Sequence, residues 1–275
     1  MEASSLRLDA EGRDRGSRYF GVDLAWTETG WSGACVLDAD GTILDEDQLP
    51  ASALVGWIRA WRGSRSVLAL DGPLVVPPDS PALRPVEREL HRRYGRYHAG
   101  PFPGGAGSRT MRGRSRSPAA ALADAAGPFV VDPTDHVSAH RAIEVFPAPT
   151  WIELFGLRDR VAYKKGPRAA RIAALASLHD LLRGLTSADP PLRVSTVDRI
   201  SELTLQARTV RGWKAVEDIT DARFCAYVAQ LWGRTPDRNW IVTGEGAWQD
   251  GYVIVPSIRA SAPADIASSE PRFPR

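Results

Sequence analysis

Cysteine is nearly absent: the 275 residues hold two, Cys35 and Cys225. Each lies among apolar neighbours, so both read as reduced core residues of a cytosolic protein rather than as parts of a disulfide framework. Charge of one sign is also missing. The formal net charge is only +2, so bulk charge argues neither for nor against a nucleic-acid partner. No apolar run is long enough to span a bilayer, and no membrane partner is expected. The first residues, MEASSLRLDAEGRDRGSR, alternate charges around no apolar stretch and do not read as a signal peptide. A cytoplasmic location is therefore expected. No Walker loop, dinucleotide glycine motif or nucleophile elbow is present, and no internal repeat is found. The five histidines form no convincing metal set. His136 and His140 stand four apart but straddle an expected loop and strand entry, and His98 falls in another expected loop.

What is present is an ordinary globular composition, 43% hydrophobic and 25% charged, long enough to bury a sizeable core. Residues 1–17 read as a disordered leader and 257–275 as a polar tail, leaving residues 18–256 as one domain. Tyr19 to Ala25 reads as a buried strand and Gly33 to Leu37 as a second. Asp38-Ala39-Asp40-Gly41 then gives a tight turn into a third strand, Thr42 to Leu49. A helix opens at Pro50 and Ser52, carries Leu54, Val55, Ile58 and Trp61 on one face, and ends at Gly63. Ser66 to Asp71 is a fourth strand. A charged helix from Pro85 to Tyr94 leads to a Gly-, Pro- and Arg-rich loop, residues 98–117, either functional or disordered. After a short Ala-rich helix, Ala142 to Phe146 forms a fifth strand. A helical insertion follows from Pro149 to Arg211, then a last helix from Lys214 to Trp232 and a closing hairpin between Trp240 and Val255. The expectation is an α/β protein with a mixed five-stranded sheet, flanking helices, a helical insertion and a C-terminal hairpin.

Two aspartates stand out. Asp23 lies inside the first buried strand, and Asp71 ends the fourth. A charge buried in a strand is costly unless it is paired or holds a metal. The plain readings are a satisfied structural carboxylate for Asp23 and a turn residue before Gly72 for Asp71. On the last helix, the stripe that holds Cys225, Val228 and Trp232 continues back to Asp221 and Asp218. A helix N-terminus favours anions, which explains one of these carboxylates but not both on one stripe. Four converging carboxylates would repel one another and raise each other's pKa. Divalent Mg²⁺ or Mn²⁺ would relieve this, since both prefer hard oxygen ligands. The cluster thus suggests metal-assisted phosphoryl chemistry.

Six motifs recur in order: Gly21-Val22-Asp23-Leu24-Ala25-Trp26, Leu70-Asp71-Gly72-Pro73-Leu74, Arg84-Pro85-Val86-Glu87-Arg88, Ile143-Glu144-Val145-Phe146-Pro147, Tyr163-Lys164, and Glu217-Asp218 through Asp221-Ala222. Together they resemble the family known as domain of unknown function 429, described as predicted RNase H-like nucleases. The resemblance runs from about Arg18 to Pro256. It implies an RNase H-like fold and a carboxylate pattern similar to that of RuvC-type resolvases. Those enzymes carry an Asp on the first strand, an acid on the fourth, and two Asp residues three apart on the last helix. Asp23, Asp71, Asp218 and Asp221 match in order, except that Asp71 stands where the resolvases carry Glu. The implied activity is metal-dependent hydrolysis of nucleic-acid phosphodiesters by a two-metal mechanism. Asp23 would bridge the ions, Asp71 would hold one, and Asp218 and Asp221 would complete the shells.

Other residues admit two readings each. Glu144 is a fifth ligand or base, or a strand carboxylate paired with an arginine such as Arg141. Arg84 and Glu87 are substrate-binding residues, or a solvated helix face. Lys164 contacts phosphate, or belongs to an exposed pair with Lys165. Arg109, Arg112, Arg114 and Arg116 track a nucleic-acid backbone, or lie in a disordered insertion. Two alternatives to a nuclease remain. One is a nucleotide-binding phosphotransferase of the actin-like superfamily, using the turn from Asp23 to Gly30. The other is a binding protein that keeps the fold without catalysis.

Overall fold

The computed structural model describes residues 16–27, 29–194 and 199–257. The expected leader up to residue 15 and the expected tail beyond residue 257 lie outside the described residues. Ser17, expected in the leader, instead opens the first strand.

Three strands, Ser17–Asp23 (β1), Trp31–Leu37 (β2) and Ile43–Pro50 (β3), form an antiparallel meander. Gly41, at φ +79°, makes the tight turn between β2 and β3, and the Asp38 carboxylate accepts from the backbone N–H groups of Asp40 and Thr42. Ala51–Trp61 (α1) crosses to Arg65–Asp71 (β4), which runs parallel to β1. Pro85–Tyr94 (α2) and Pro118–Ala126 (α3) precede His140–Val145 (β5), parallel to β4. Pro147–Phe155 (α4), Arg168–Gly184 (α5), Arg199–Gln206 (α6) and Val210–Arg234 (α7) follow, then Asn239–Val242 (β6) and Val253–Pro256 (β7).

Among the described residues the sheet has seven strands, not five, in the order β3-β2-β1-β4-β5-β7-β6. The closing hairpin pairs as expected, but β7 also joins β5 in parallel through Val145 and Ile254. The reason is plain in β7 itself: all four of its residues are buried, and without it β5 would expose an unpaired edge.

Side-chain alternation assigns the two faces. Phe20 on β1 meets Trp57 of α1 edge-on, with ring centroids 5.8 Å apart, so Phe20 and Val22 face the side covered by α1. Tyr19, Gly21 and Asp23 face α7. That helix lies across β1, β2 and β4 and is itself covered by α4, α5 and α6. Its buried residues run unbroken from Val216 to Trp232. The expected inward stripe is therefore not a stripe: α7 is a central helix, buried all round.

Two glycines set how close α7 lies. A Cβ on Gly21 would fall 2.0 Å from the Ala222 carbonyl oxygen and 2.1 Å from the Ala226 nitrogen. On Gly33 it would fall 1.9 Å from the Asp218 carbonyl oxygen. The helix backbone rests directly on the sheet at the point where its acidic turn passes β1. The Arg223 guanidinium adds a buried tie to Glu46 of β3, at 2.6 and 3.0 Å.

Substituting Gly21 with Ala should therefore lift α7 from β1 and cost about 1–3 kcal/mol, the usual scale of overpacking. Urea unfolding of Gly21→Ala checks this, and an unchanged midpoint would contradict the proposed seating of the helix.

Candidate active site

β1, β4 and β5 are parallel, so their carboxyl ends share one edge of the sheet, where open α/β sheets carry their sites. Asp23 and Asp71 end β1 and β4 and stand directly opposite each other in register. Both are half-buried. Asp218 and Asp221 arrive from α7 and are fully buried, at 1% and 0% exposure. All four expected aspartates thus come to one place. Four further side chains complete the cluster. Lys164 Nζ lies 2.6 Å from Asp221 Oδ2, and Tyr163 donates to Asp221 Oδ1 at 2.5 Å. Gln48 of β3 donates to Asp218 Oδ2 at 2.9 Å. Lys214, one helical turn before Asp218, pairs with it. The two ammonium groups remain half-exposed while their carboxylate partners are sealed.

Electrostatics follow from that burial. Desolvation, together with the charge of Asp218, pushes the Asp23 carboxyl up to about 6 against the pull of Lys164 and Lys214. Burial and the neighbouring Asp23 hold Asp71 well above the usual carboxylate range. Burial also raises Asp218 and Asp221, offset chiefly by Lys214 and Lys164 respectively. Burial alone would lower Lys164, but the carboxylates of Asp221, Asp23 and Asp71 raise it. The Asp23 and Asp218 carboxyls lie close enough for each to act on the other's titration. The second oxygen of Asp23, Oδ2, is buried with no hydrogen-bond partner among the described residues.

Glu144, Arg84 and Glu87 form a separate buried network. Glu144 pairs in register with Leu70, the residue before Asp71, so it projects from the opposite face of the sheet. It takes Arg84 as a bidentate partner at 2.6 and 3.0 Å, not Arg141, whose guanidinium lies over the Trp232 ring. Arg84 also binds Glu87 at 2.9 Å. The expected solvated face is wrong for both residues, which are 1% and 2% exposed. The network holds the segment after Asp71. Leu74 N–H donates to Glu144 at 2.8 Å, and Arg84 donates to the Val75 carbonyl at 2.8 Å. The Ser117 hydroxyl bonds the Pro73 carbonyl. The Arg-rich loop closes over the same place, with Gly105 N–H on the Ala82 carbonyl at 3.0 Å and Gly107 N–H on that of Ser80 at 3.1 Å.

Both clusters border a cleft of about 920 Å³ that also reaches Trp26, Trp31, Phe102 and Arg211. Among the described residues, no three His, Cys, Asp or Glu side chains stand close enough together to hold a metal ion. The donors nonetheless suit a hard divalent cation in kind: four carboxylates, one with an unpartnered buried oxygen. Tyr163, Gln48 and Lys214 were not singled out from sequence as site residues. Two of them left a signal: Tyr163 stands in the Tyr163-Lys164 motif, and Lys214 stands at i−4 from Asp218. Cys35 and Cys225 are buried free thiols, as expected. No helix among the described residues is long and apolar enough to cross a membrane.

The family model described as "Protein of unknown function (DUF429)" matches residues 21–239, most of the chain, and the chain belongs to that family. No curated protein and no solved structure matches it.

Two measurements check this geometry. Removing Arg84 would strand two buried carboxylates, so Arg84→Ala should cost about 3–5 kcal/mol in urea unfolding; a loss under 1 kcal/mol would show that the network is solvated. For Asp23, folding raises the pKa from 3.8 to about 6, so the folded state binds more protons over that interval and stability falls as pH rises through it. In EDTA, Asp23→Asn should melt higher than wild type above pH 6, with the gain shrinking toward pH 4. A variant less stable than wild type at pH 8 would mean that the lysines outweigh burial at Asp23.

Proposed function

We propose that this DUF429 member is a divalent-cation-dependent nuclease built on an RNase H-like core. One observation carries the reading: Asp23 and Asp71 stand side by side on parallel strands, and α7 delivers Asp218 and Asp221 to the same edge. That is the order of carboxylates in RuvC-type resolvases, with Asp71 in place of a Glu. The meander β1–β3, extended past β1 by the parallel strands β4 and β5, also supports an RNase H-like core.

Charge balance supports a cation. Four carboxylates face two ammonium groups, and if all are ionised the cluster is left with two negative charges, the charge of one Mg²⁺ or Mn²⁺. The ligands would be Asp23, Asp71, Asp218 and Asp221, which would have to draw closer together to hold it. A bound cation would supply neutralisation of the carboxylates and Lewis-acid polarisation of a phosphodiester oxygen. A second ion is balanced only when the phosphodiester brings its own negative charge.

The chain's own groups have distinct tasks. Tyr163 and Lys164 fix the orientation of Asp221, and Gln48 and Lys214 fix that of Asp218. Lys164, open to the cleft, binds a non-bridging phosphate oxygen, a task that needs only a mobile positive charge. Glu144, Arg84 and Glu87 position rather than react: they anchor the Leu74–Val75 backbone and so hold the end of β4, where Asp71 lies.

Labelled DNA and RNA, incubated with Mg²⁺ or Mn²⁺ and with EDTA, test the proposal. Cleavage should require the cation and fall by about 100-fold or more in Asp23→Asn, the scale on which such electrostatic groups act. Cleavage that persists unchanged in EDTA, or in Asp23→Asn, would overturn the assignment.

A further inference from the structure

The same cleft has a second chemical character at its mouth. Trp31 opens β2 at 42% exposure, and Phe102 in the long loop is 83% exposed. Both border the cleft, together with Trp26. The Arg211 guanidinium lies 4.4 Å from the Trp31 ring centroid. Arg114 reaches across from the Arg-rich loop to the Trp26 carbonyl at 3.1 Å. Along α7, Arg211, Lys214, Asp218 and Asp221 follow one another at helical spacing. The helix therefore leads from an aromatic and cationic rim to the aspartates over about 15 Å, at about 1.5 Å per residue.

An isolated exposed aromatic needs no explanation. Here Trp26, Trp31 and Phe102 share one opening with Arg211, Lys214 and a deep acidic cluster. Cations at the rim match the phosphates of a polynucleotide, and flat aromatic faces match its bases. A duplex stacks its base faces against one another, so only an unpaired strand can offer a base to Trp31 or Phe102. A guanidinium already lying over the indole is the same kind of partner as a stacked base.

Resting on the nuclease reading of this cleft, we propose that its substrate is an unpaired polynucleotide strand. Bases flanking the scissile phosphate stack on Trp31 and Phe102, while Arg211 and Lys214 hold the backbone between the rim and Asp218. Trp31 and Phe102 are substrate-binding residues, and neither is needed for the aspartates to assemble.

The test is fluorescence anisotropy of the full chain with end-labelled oligonucleotides of about ten residues. The set comprises poly-dT, poly-U and a duplex of equal length. Binding is measured in EDTA and again with Ca²⁺, a hard cation that carboxylates also bind. The single strands should bind more tightly than the duplex. Trp31→Ala and Phe102→Ala should each weaken single-strand binding by about 5- to 100-fold, and Trp31→Phe should restore most of the loss, since a flat ring remains. The dT and U arms distinguish DNA from RNA. Equal binding of single strand and duplex, or alanine variants that bind like wild type, would overturn the stacking inference and leave the nuclease reading standing. Binding of neither single strand nor duplex in either condition would overturn both.

Discussion

The molecule depends on how close one helix lies to its sheet. α7 touches the sheet with its backbone at Gly21 and Gly33, where any side chain would collide with main-chain atoms. That contact fixes the axial position of α7, and with it the depth of Asp218 and Asp221. Because α4, α5 and α6 cover the other side of α7, its acidic turn has no route to bulk water. Only the cleft remains, and the strand-end aspartates already occupy its floor. The carboxylate cluster thus follows from packing, and the packing follows from two residues without side chains on neighbouring antiparallel strands.

Such a cluster would be unstable without compensation. Lys164 and Lys214 supply part of it from the solvent side, each placed so that its ammonium stays hydrated while its carboxylate partner is sealed. Tyr163 and Gln48 supply hydrogen bonds. The least compensated are Asp23, with an unpartnered buried oxygen and a carboxyl pushed up to about 6, and Asp71, held well above the usual carboxylate range. Uncompensated charge at the convergence of four carboxylates is the physical reason to expect a cation there. Opposite this cluster, across the sheet, the buried Arg84 pair with Glu87 and Glu144 is complete in itself, which marks it as a fastening rather than a reacting group.

Much of the fold was legible in the sequence because its elements are local. The meander, the α1 crossover, the charged helix α2 and the closing hairpin all carry their own turn residues and periodicity. The parallel join of β7 to β5 was not legible, because nothing within Val253–Pro256 states which strand it will meet. The four aspartates could be read, since charge inside apolar segments is a local anomaly. Their supporting residues could not. Gln48 and Tyr163 meet the cluster across 170 and 58 residues of chain. Arg84 and Glu87 looked like surface residues because α2 is rich in charge, and only the position of Glu144 on the far face of β5 explains their burial. The all-round burial of α7 was hidden too, since charged residues within it suggested a helix with a solvent face.

Taken together, the sheet edge, the central helix and the two lysines describe a site poised by charge imbalance. The proposed function requires that a divalent cation resolve that imbalance. The direct measurement is calorimetric titration of Mn²⁺ into the wild type and into Asp23→Asn/Asp221→Asn. Binding is expected in the wild type and its loss in the double variant. No heat in the wild type at millimolar Mn²⁺ or identical isotherms for the two proteins would contradict the proposed function.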